Sequence, residues 1–252
     1  VPFRLEKLLR HANAFMIFSF VLLLGCSHFM PKPKNIAVPP AWEGVEAASK
    51  KSSLTGFAFE VLSAISREEH TQLNRAVASS ETLLANLKDG VYDAAFSTLP
   101  KTEKNQALYA FSNPILEVGA VLVVPKISNI RVVSALSGKR VGVRMDSNDV
   151  LKLQHINGIT YESYLDIENA FEDLLEGRID ALVIGRLAAK AYIESLYEDK
   201  LRVIDQPVSE EAIRLIAPIK HKSFIDSFNN ALKKIQRTGE LKRLKEKWSL
   251  DK

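Results

Sequence analysis

The chain has 252 residues, 46% of them hydrophobic and 25% charged, with a formal net charge of +4. That is a globular composition, long enough for one large domain or two small ones. The basic excess does not point to nucleic acid: its densest run, Lys233 to Lys247, carries Ile235, Leu241 and Leu244 at helical spacing, with Trp248 following. Those charges therefore form a solvated helix face, and no nucleic-acid partner is expected.

At the N-terminus, Arg4, Lys7 and Arg10 precede the uncharged run "AFMIFSFVLLLG" from Ala14 to Gly25. Twelve residues of helix reach about 18 Å, short of the ~30 Å hydrocarbon core, so the pattern is a signal peptide and not a membrane span. The run ends at Cys26, the sole cysteine. A small residue followed by such a cysteine resembles a bacterial lipoprotein signal, in which the cysteine becomes lipidated and N-terminal. An ordinary secretory signal or a buried free thiol are the other readings. Removal of residues 1–25 takes away three basic residues and one acidic residue, so the charge falls from +4 to +2. The mature chain then has no internal disulfide, and its stability must come from its cores. Residues 26–34 are short, polar and proline-bearing, as a tether is.

A short strand is predicted at Ile36 to Val38, stopped by Pro39 and Pro40. "GFAFEVLSAISREE" then places Phe57, Val61, Leu62 and Ile65 on one helical face. Next comes "LKDGVYDAAF", Leu87 to Phe96, whose skeleton returns at "LLEGRIDALV", Leu174 to Val183. Each copy reads as a helix, a terminating glycine and a strand, the second half of a βαβ crossover. In the first, Ser80 is the predicted N-cap, Leu83, Leu84 and Leu87 the buried stripe, and Gly90 the stop. In the second, Ile167, Phe171, Leu174 and Leu175 form the stripe and Gly177 the stop. Two further strands, "AVLVVP" (Ala120 to Pro125) and "IRLIAP" (Ile213 to Pro218), bracket about 90 residues, enough for a lobe of its own. A helix striped by Phe224, Phe228, Leu232 and Ile235 follows, with Gly239 dividing it from a shorter one. A chain that leaves one lobe, builds another and returns has a cleft between the two, which permits hinge closure around a ligand.

The motifs carrying this pattern resemble the bacterial extracellular solute-binding proteins of family 3, the amino-acid-binding type of ABC transporters. "LTGFAFEVLSAI" is similar to the family's G-F-x-x-D helix opening, with Glu60 for the aspartate. "LKDGVYDAAFSTLPKTEKNQALYAFSNP" follows its L-x-x-G-x-x-D … T-x-x-R … F-S-x-P stretch, and "LSGKRVGVRMDS" its L-x-G-K-x-V-G-V opening of the second lobe. The second repeat copy and "TGELKRLKEKW" complete the family's order. The resemblance implies an α/β, two-lobed periplasmic-binding-protein fold of type II, two lobes joined by two hinge strands. Residues 35–121 and 217–252 are expected in lobe 1 and 122–216 in lobe 2. It also implies a periplasmic or cell-surface monomer that passes a small polar solute to an inner-membrane ABC permease, and the N-terminal signal adds a lipid anchor at Cys26. No cofactor or metal is implied.

The departures fall at the ligand. The family's lobe-1 arginine, which clamps the α-carboxylate, is Asn105 here, with Lys104 adjacent; a lysine supplies charge but not the planar fork. Its lobe-2 aspartate, which takes the α-ammonium, is Gly185, followed by Arg186. Other implied ligand positions are Ser97 and Thr98 after the first-copy strand, and Ser147 and Asn148 after "GVRMD". Trp42 is either an aromatic wall of the site or core, and Ser147 either a ligand group or a cap. Arg186 near the missing acid turns the cleft towards an anionic ligand. Two other functions stay open. One is a cyclohexadienyl-dehydratase-like enzyme, for which no motif nominates an acid or base and the five histidines are scattered. The other is a receptor-like lipoprotein with a sensor or non-transport role, favoured by the missing clamp and disfavoured by small polar residues at 97, 98, 147 and 148.

Overall fold

The computed structural model describes residues 32–42, 53–145 and 147–250. The expected signal, Cys26 and most of the tether lie outside the described residues. The elements in chain order are β1 (Lys34–Val38), α1 (Leu54–Glu69), β2 (Leu73–Val77), α2 (Ser80–Lys88), β3 (Ala94–Ser97), α3 (Glu103–Leu108), β4 (Tyr109–Phe111), β5 (Leu116–Glu117) and β6 (Ala120–Pro125). They continue with β7 (Arg140–Arg144), α4 (Asp149–Leu153), β8 (Thr160–Tyr164), α5 (Ile167–Leu175), β9 (Ala181–Gly185), α6 (Arg186–Tyr192), β10 (Leu201–Val203), β11 (Ala212–Pro218), α7 (Lys222–Arg237) and α8 (Glu240–Lys247).

The strands form two sheets. The first runs β2-β1-β3-β11-β4, with β5 also on β11; the second runs β10-β6-β9-β7-β8. Each has a parallel trio, β2-β1-β3 and β8-β7-β9, closed on one side by an antiparallel strand. The closing strand of the first sheet is β11, which arrives only after the whole second sheet has been laid down. That of the second is β6, entered directly from the first. The two-lobed α/β fold implied by the motifs is the fold observed.

The chain crosses between the sheets at the starts of β6 and β11. Lobe limits expected at 121/122 and 216/217 therefore fall inside strands, since Ala120–Pro125 pairs in the second sheet and Ala212–Pro218 in the first.

The repeat has one structural job in both lobes. Asp93 at the start of β3 accepts from Asn35 N–H (2.9 Å) and the Lys34 ammonium (3.0 Å), while its own N–H donates to Asn35 C=O (2.9 Å). Asp180, ahead of β9, accepts from Arg140 N–H (2.9 Å) and Nε (3.3 Å) and donates its N–H to Arg140 C=O (2.8 Å). Each aspartate thus pins the first residues of the neighbouring parallel strand and sets its register. Gly90 (φ 78°) and Gly177 (φ 72°) turn the chain out of the helix through the left-handed region that glycine adopts without a Cβ clash.

Apolar faces lie on both sides of each sheet. Phe57, Val61, Leu62 and Ile65 of α1 meet Ile225, Phe228, Leu232 and Ile235 of α7 over the first sheet. Fully burying side chains of this size stabilises by roughly 1.5–3 kcal/mol each. Leu83 and Leu87 cover the other face, with Leu84 partly buried beside them. Phe171 and Leu174 cover one face of the second sheet, where Phe171 stacks on Tyr192 and Tyr197. Two details differ from the predicted stripes. Leu175 is exposed at the end of α5, one position past the buried face. Ser80 is the first helical residue and Ser79 the cap position; Ser80 Oγ donates to Ala41 C=O instead. Leu187 of α6, buried, joins the core cluster of the first sheet, the sole member of that cluster drawn from residues 120–203 among those described.

Candidate functional site

In open α/β sheets a ligand finds free backbone groups beyond the carboxyl ends of parallel strands, where the chain turns away. Here those ends are Ser97 and Thr98 after β3, Ser147 and Asn148 after β7, and Gly185 and Arg186 after β9. The crossings run beside them. Gly119 N–H donates to Glu211 C=O (2.9 Å), and Gly119 C=O accepts from Arg186 N–H (3.0 Å). A Cβ on Gly119 would stand 2.1 Å from the Ser209 carbonyl oxygen, so only glycine fits between the two crossings. At this junction lies a cavity of about 200 Å³, lined among others by Glu117, Gly119, Arg186, Glu210, Glu211 and Arg214.

The residues expected at the site are distributed unevenly around it. Arg186 lines the cavity. Its Nη2 is 3.8 Å from Glu117 Oε2, and its Nε is buried without a hydrogen-bond partner. Ser97 lies opposite Arg214 in the β3–β11 ladder, and its Oγ accepts from Leu99 N–H (3.0 Å). Thr98 follows, half-buried. Ser147 Oγ donates to Arg144 C=O (2.9 Å) and lies 3.4 Å from Asp149 N–H, a local turn. Asn148 precedes α4 without a side-chain cap bond, and is exposed. Lys104 is exposed on α3. Asn105 Nδ2 donates to Pro100 C=O (2.8 Å), which holds the loop before α3. Trp42 packs on the first core, edge-on to Phe96 with ring centroids 6.5 Å apart, and its Nε1 lies 3.4 Å from Thr55 Oγ1.

Three residues at this junction escaped the motif reading. Arg214 is a cation in the middle of an apolar strand; Nη1 donates to Ser112 C=O (3.2 Å). Burial lowers the proton affinity of its guanidinium, and the charges of Glu210 and Glu117 partly offset that. Lys152 of α4 lies 3.2 Å from Asp149 Oδ1 and 3.0 Å from Glu211 Oε1. Glu211 Oε2 accepts from Ser209 Oγ (2.7 Å), which accepts from Ala120 N–H (2.9 Å). A polar chain thus runs from α4 across both crossings. A charge inside an apolar alternation was the signal for Arg214; the Lys152–Glu211 pair spans 59 positions and leaves no local signal.

Residues 35–251 match the sequence model of the bacterial extracellular solute-binding proteins, family 3. The chain belongs to this family. The arginine-binding extracellular protein ArtP of Bacillus subtilis (strain 168) is 28% identical over 78% of this chain and 78% of its own. The histidine-binding periplasmic protein of Escherichia coli (strain K12) is 31% identical over 69% of this chain and 71% of its own. The crystal structure of the L-cystine solute receptor of Neisseria gonorrhoeae, in the unliganded open conformation, superposes with a TM-score of 0.68. It is 20% identical and covers 86% of this chain and 92% of the receptor. Each of these proteins is named for what it binds, not for a reaction. No group of three or more His, Cys, Asp or Glu suited to a metal ion occurs among the described residues, and no described helix is long and apolar enough to cross a membrane.

Proposed function

We propose that this chain is a lipid-anchored extracytoplasmic receptor that binds an amino acid or a close derivative in the cleft and delivers it to an ABC permease. The observation that carries the reading is the junction itself. Polar residues end or closely follow β3, β7 and β9 where two lobes meet, and the two crossings are packed so closely that Gly119 admits no side chain. Such a junction lets lobes rotate without breaking either sheet. Relatives named for arginine, histidine and L-cystine favour an amino-acid-like ligand. Asn105 and Gly185 set this chain's ligand contacts apart from the family pattern. They also sustain the second reading, a receptor-like lipoprotein in a sensor role. In this reading the lobes divide near 119 and 211, which the strand pairings beyond each crossing support.

A thermal-shift screen of the purified protein against the twenty amino acids, L-cystine, small peptides, polyamines and organic anions tests the binding. A ligand at 100 times its Kd adds about 2.7 kcal/mol and raises the midpoint visibly. Silence across the panel sinks the receptor reading in favour of the sensor one. Anchoring is tested separately: Cys26→Ser abolishes incorporation of a labelled fatty acid, and incorporation that survives the substitution refutes the anchor.

A further inference from the structure

An amino acid's carboxylate needs a cation pair or fork, and Asn105 offers neither, its amide being committed to the Pro100 carbonyl. The nearby lysine, Lys104, is exposed on α3. Two guanidinium groups instead line the cavity at the crossings, one from each lobe. β11 runs antiparallel to β3 and sets Arg214 directly opposite Ser97, so both side chains stand on the same face at the carboxyl end of β3. Among the described residues, the hydrogen bond to Ser112 C=O is the one Arg214 makes, which occupies one of five donors. Arg186 approaches from the end of β9. Its ion pair with Glu117 is long, 3.8 Å, to a carboxylate whose side chain is 67% exposed, and its buried Nε has no partner.

The other carboxylates of the cavity do not supply what these arginines lack. Glu211 is held by Lys152 (3.0 Å) and Ser209 (2.7 Å), and Glu210 is exposed. Leaving a guanidinium N–H in a desolvated position without an acceptor is costly, and a carboxylate ligand removes that cost.

We propose that Arg214 of the first lobe and Arg186 of the second together bind the carboxylate of the ligand, in place of the family's arginine at position 105, so that one anionic group bridges both lobes. This assignment rests on the receptor reading above, and deepens it: the ligand must carry a free carboxylate, and that carboxylate draws the lobes together. Glu117, freed from its long contact with Arg186, is left at the rim as the counter-pole for a ligand ammonium. Gly185 fits the same arrangement. A Cβ there meets nothing within 4 Å, so the position is open space beside Arg186, where an aspartate would compete with the ligand for the guanidinium.

The test uses the full-length protein and matched probes: each of the twenty L-amino acids and L-cystine beside its α-carboxamide, followed by thermal shift and then titration calorimetry. An amino acid is expected to raise the midpoint while its carboxamide does not, a contrast that needs no variant. Arg214→Gln and Arg186→Gln are each expected to weaken that amino acid at least about tenfold, the loss of one charged hydrogen bond or more, with Arg214→Lys in between. Equal binding of acid and carboxamide, or unchanged affinity in both glutamine variants, overturns the arginine pair and leaves the receptor reading standing. No response to any probe overturns the receptor reading and the pair with it.

Discussion

Lys152→Met tests whether the polar chain across the crossings holds the molecule together. The substitution keeps the apolar stem and deletes the ammonium that faces Asp149 at 3.2 Å and Glu211 at 3.0 Å. Asp149 is only 5% exposed, so its carboxylate is left in a poorly hydrated place without its cation. Removing one partner of a buried ion pair costs about 3–5 kcal/mol. Glu211 is more than a third exposed and rehydrates, which discounts its share, so about 2–3 kcal/mol is expected. Burial by itself lowers the proton affinity of Lys152, but the bond to Glu211 and the charges of Asp149 and Glu211 reverse this, and the net direction is upward. The stabilisation is therefore present in full at neutral pH and is lost only as pH rises through the raised value, above 10.5. Urea unfolding followed by far-UV circular dichroism reads both sheets. With a slope of about 2–3 kcal/mol/M, the midpoint should fall by about 1 M. Lys152→Met combined with Asp149→Asn should recover part of the loss, because the buried charge is then gone. A single-variant loss below about 0.5 kcal/mol, or a double variant that is merely additive, refutes the coupling.

The aspartates of the repeat make a pH-dependent contribution. Burial raises the Asp93 carboxyl, but the Asn35 N–H and the Lys34 ammonium outweigh it and the net direction is downward. Its stabilisation is then present above the ordinary carboxylate range near 4 and lost as pH falls through the lowered value. Asp93→Asn should cost about 1 kcal/mol at pH 7 and flatten the fall of the melting midpoint between pH 5 and pH 2.5; parallel curves for both proteins would exclude the pinning role. Gly119→Ala drives a methyl into the Ser209 carbonyl. It should lower stability by about 2–3 kcal/mol and blunt any ligand-induced shift, and a variant as stable as the parent would show that the crossings can part freely.

The elements legible in the sequence were those whose pattern is local. Leu87, Gly90 and Asp93 sit within seven positions and state a helix, its end and a strand, and Leu174, Gly177 and Asp180 state it again. Both copies are present, with their glycines at positive φ. The strands that went unread, β2 and β8, lie at sheet edges with mostly exposed side chains, so hydrophobic period cannot single them out. β10 has three residues, too few for any period. The lobe limits expected at 121/122 and 216/217 fall within β6 and β11, because the passage between sheets turns on a contact with no local signal, that of Gly119 with Ser209 90 positions away. Likewise the motifs nominated Ser97 but not Arg214, because the two become neighbours only through the β3–β11 ladder.

That ladder has a consequence for how the molecule is born. The second sheet is drawn from one unbroken stretch, residues 120–203, and can close its cores as soon as that stretch has left the ribosome. The first cannot. Until β11 is made, β3 presents an unpaired edge. Until α7 follows, Phe57, Val61 and Leu62 have no Ile225, Phe228 or Leu232 to meet. The first sheet, begun before the second, is thus completed after it, and the edge of β3 and the side of α1 that faces α7 wait about a hundred residues for their partners. The order of the strands, and not their strength, fixes when that edge is covered.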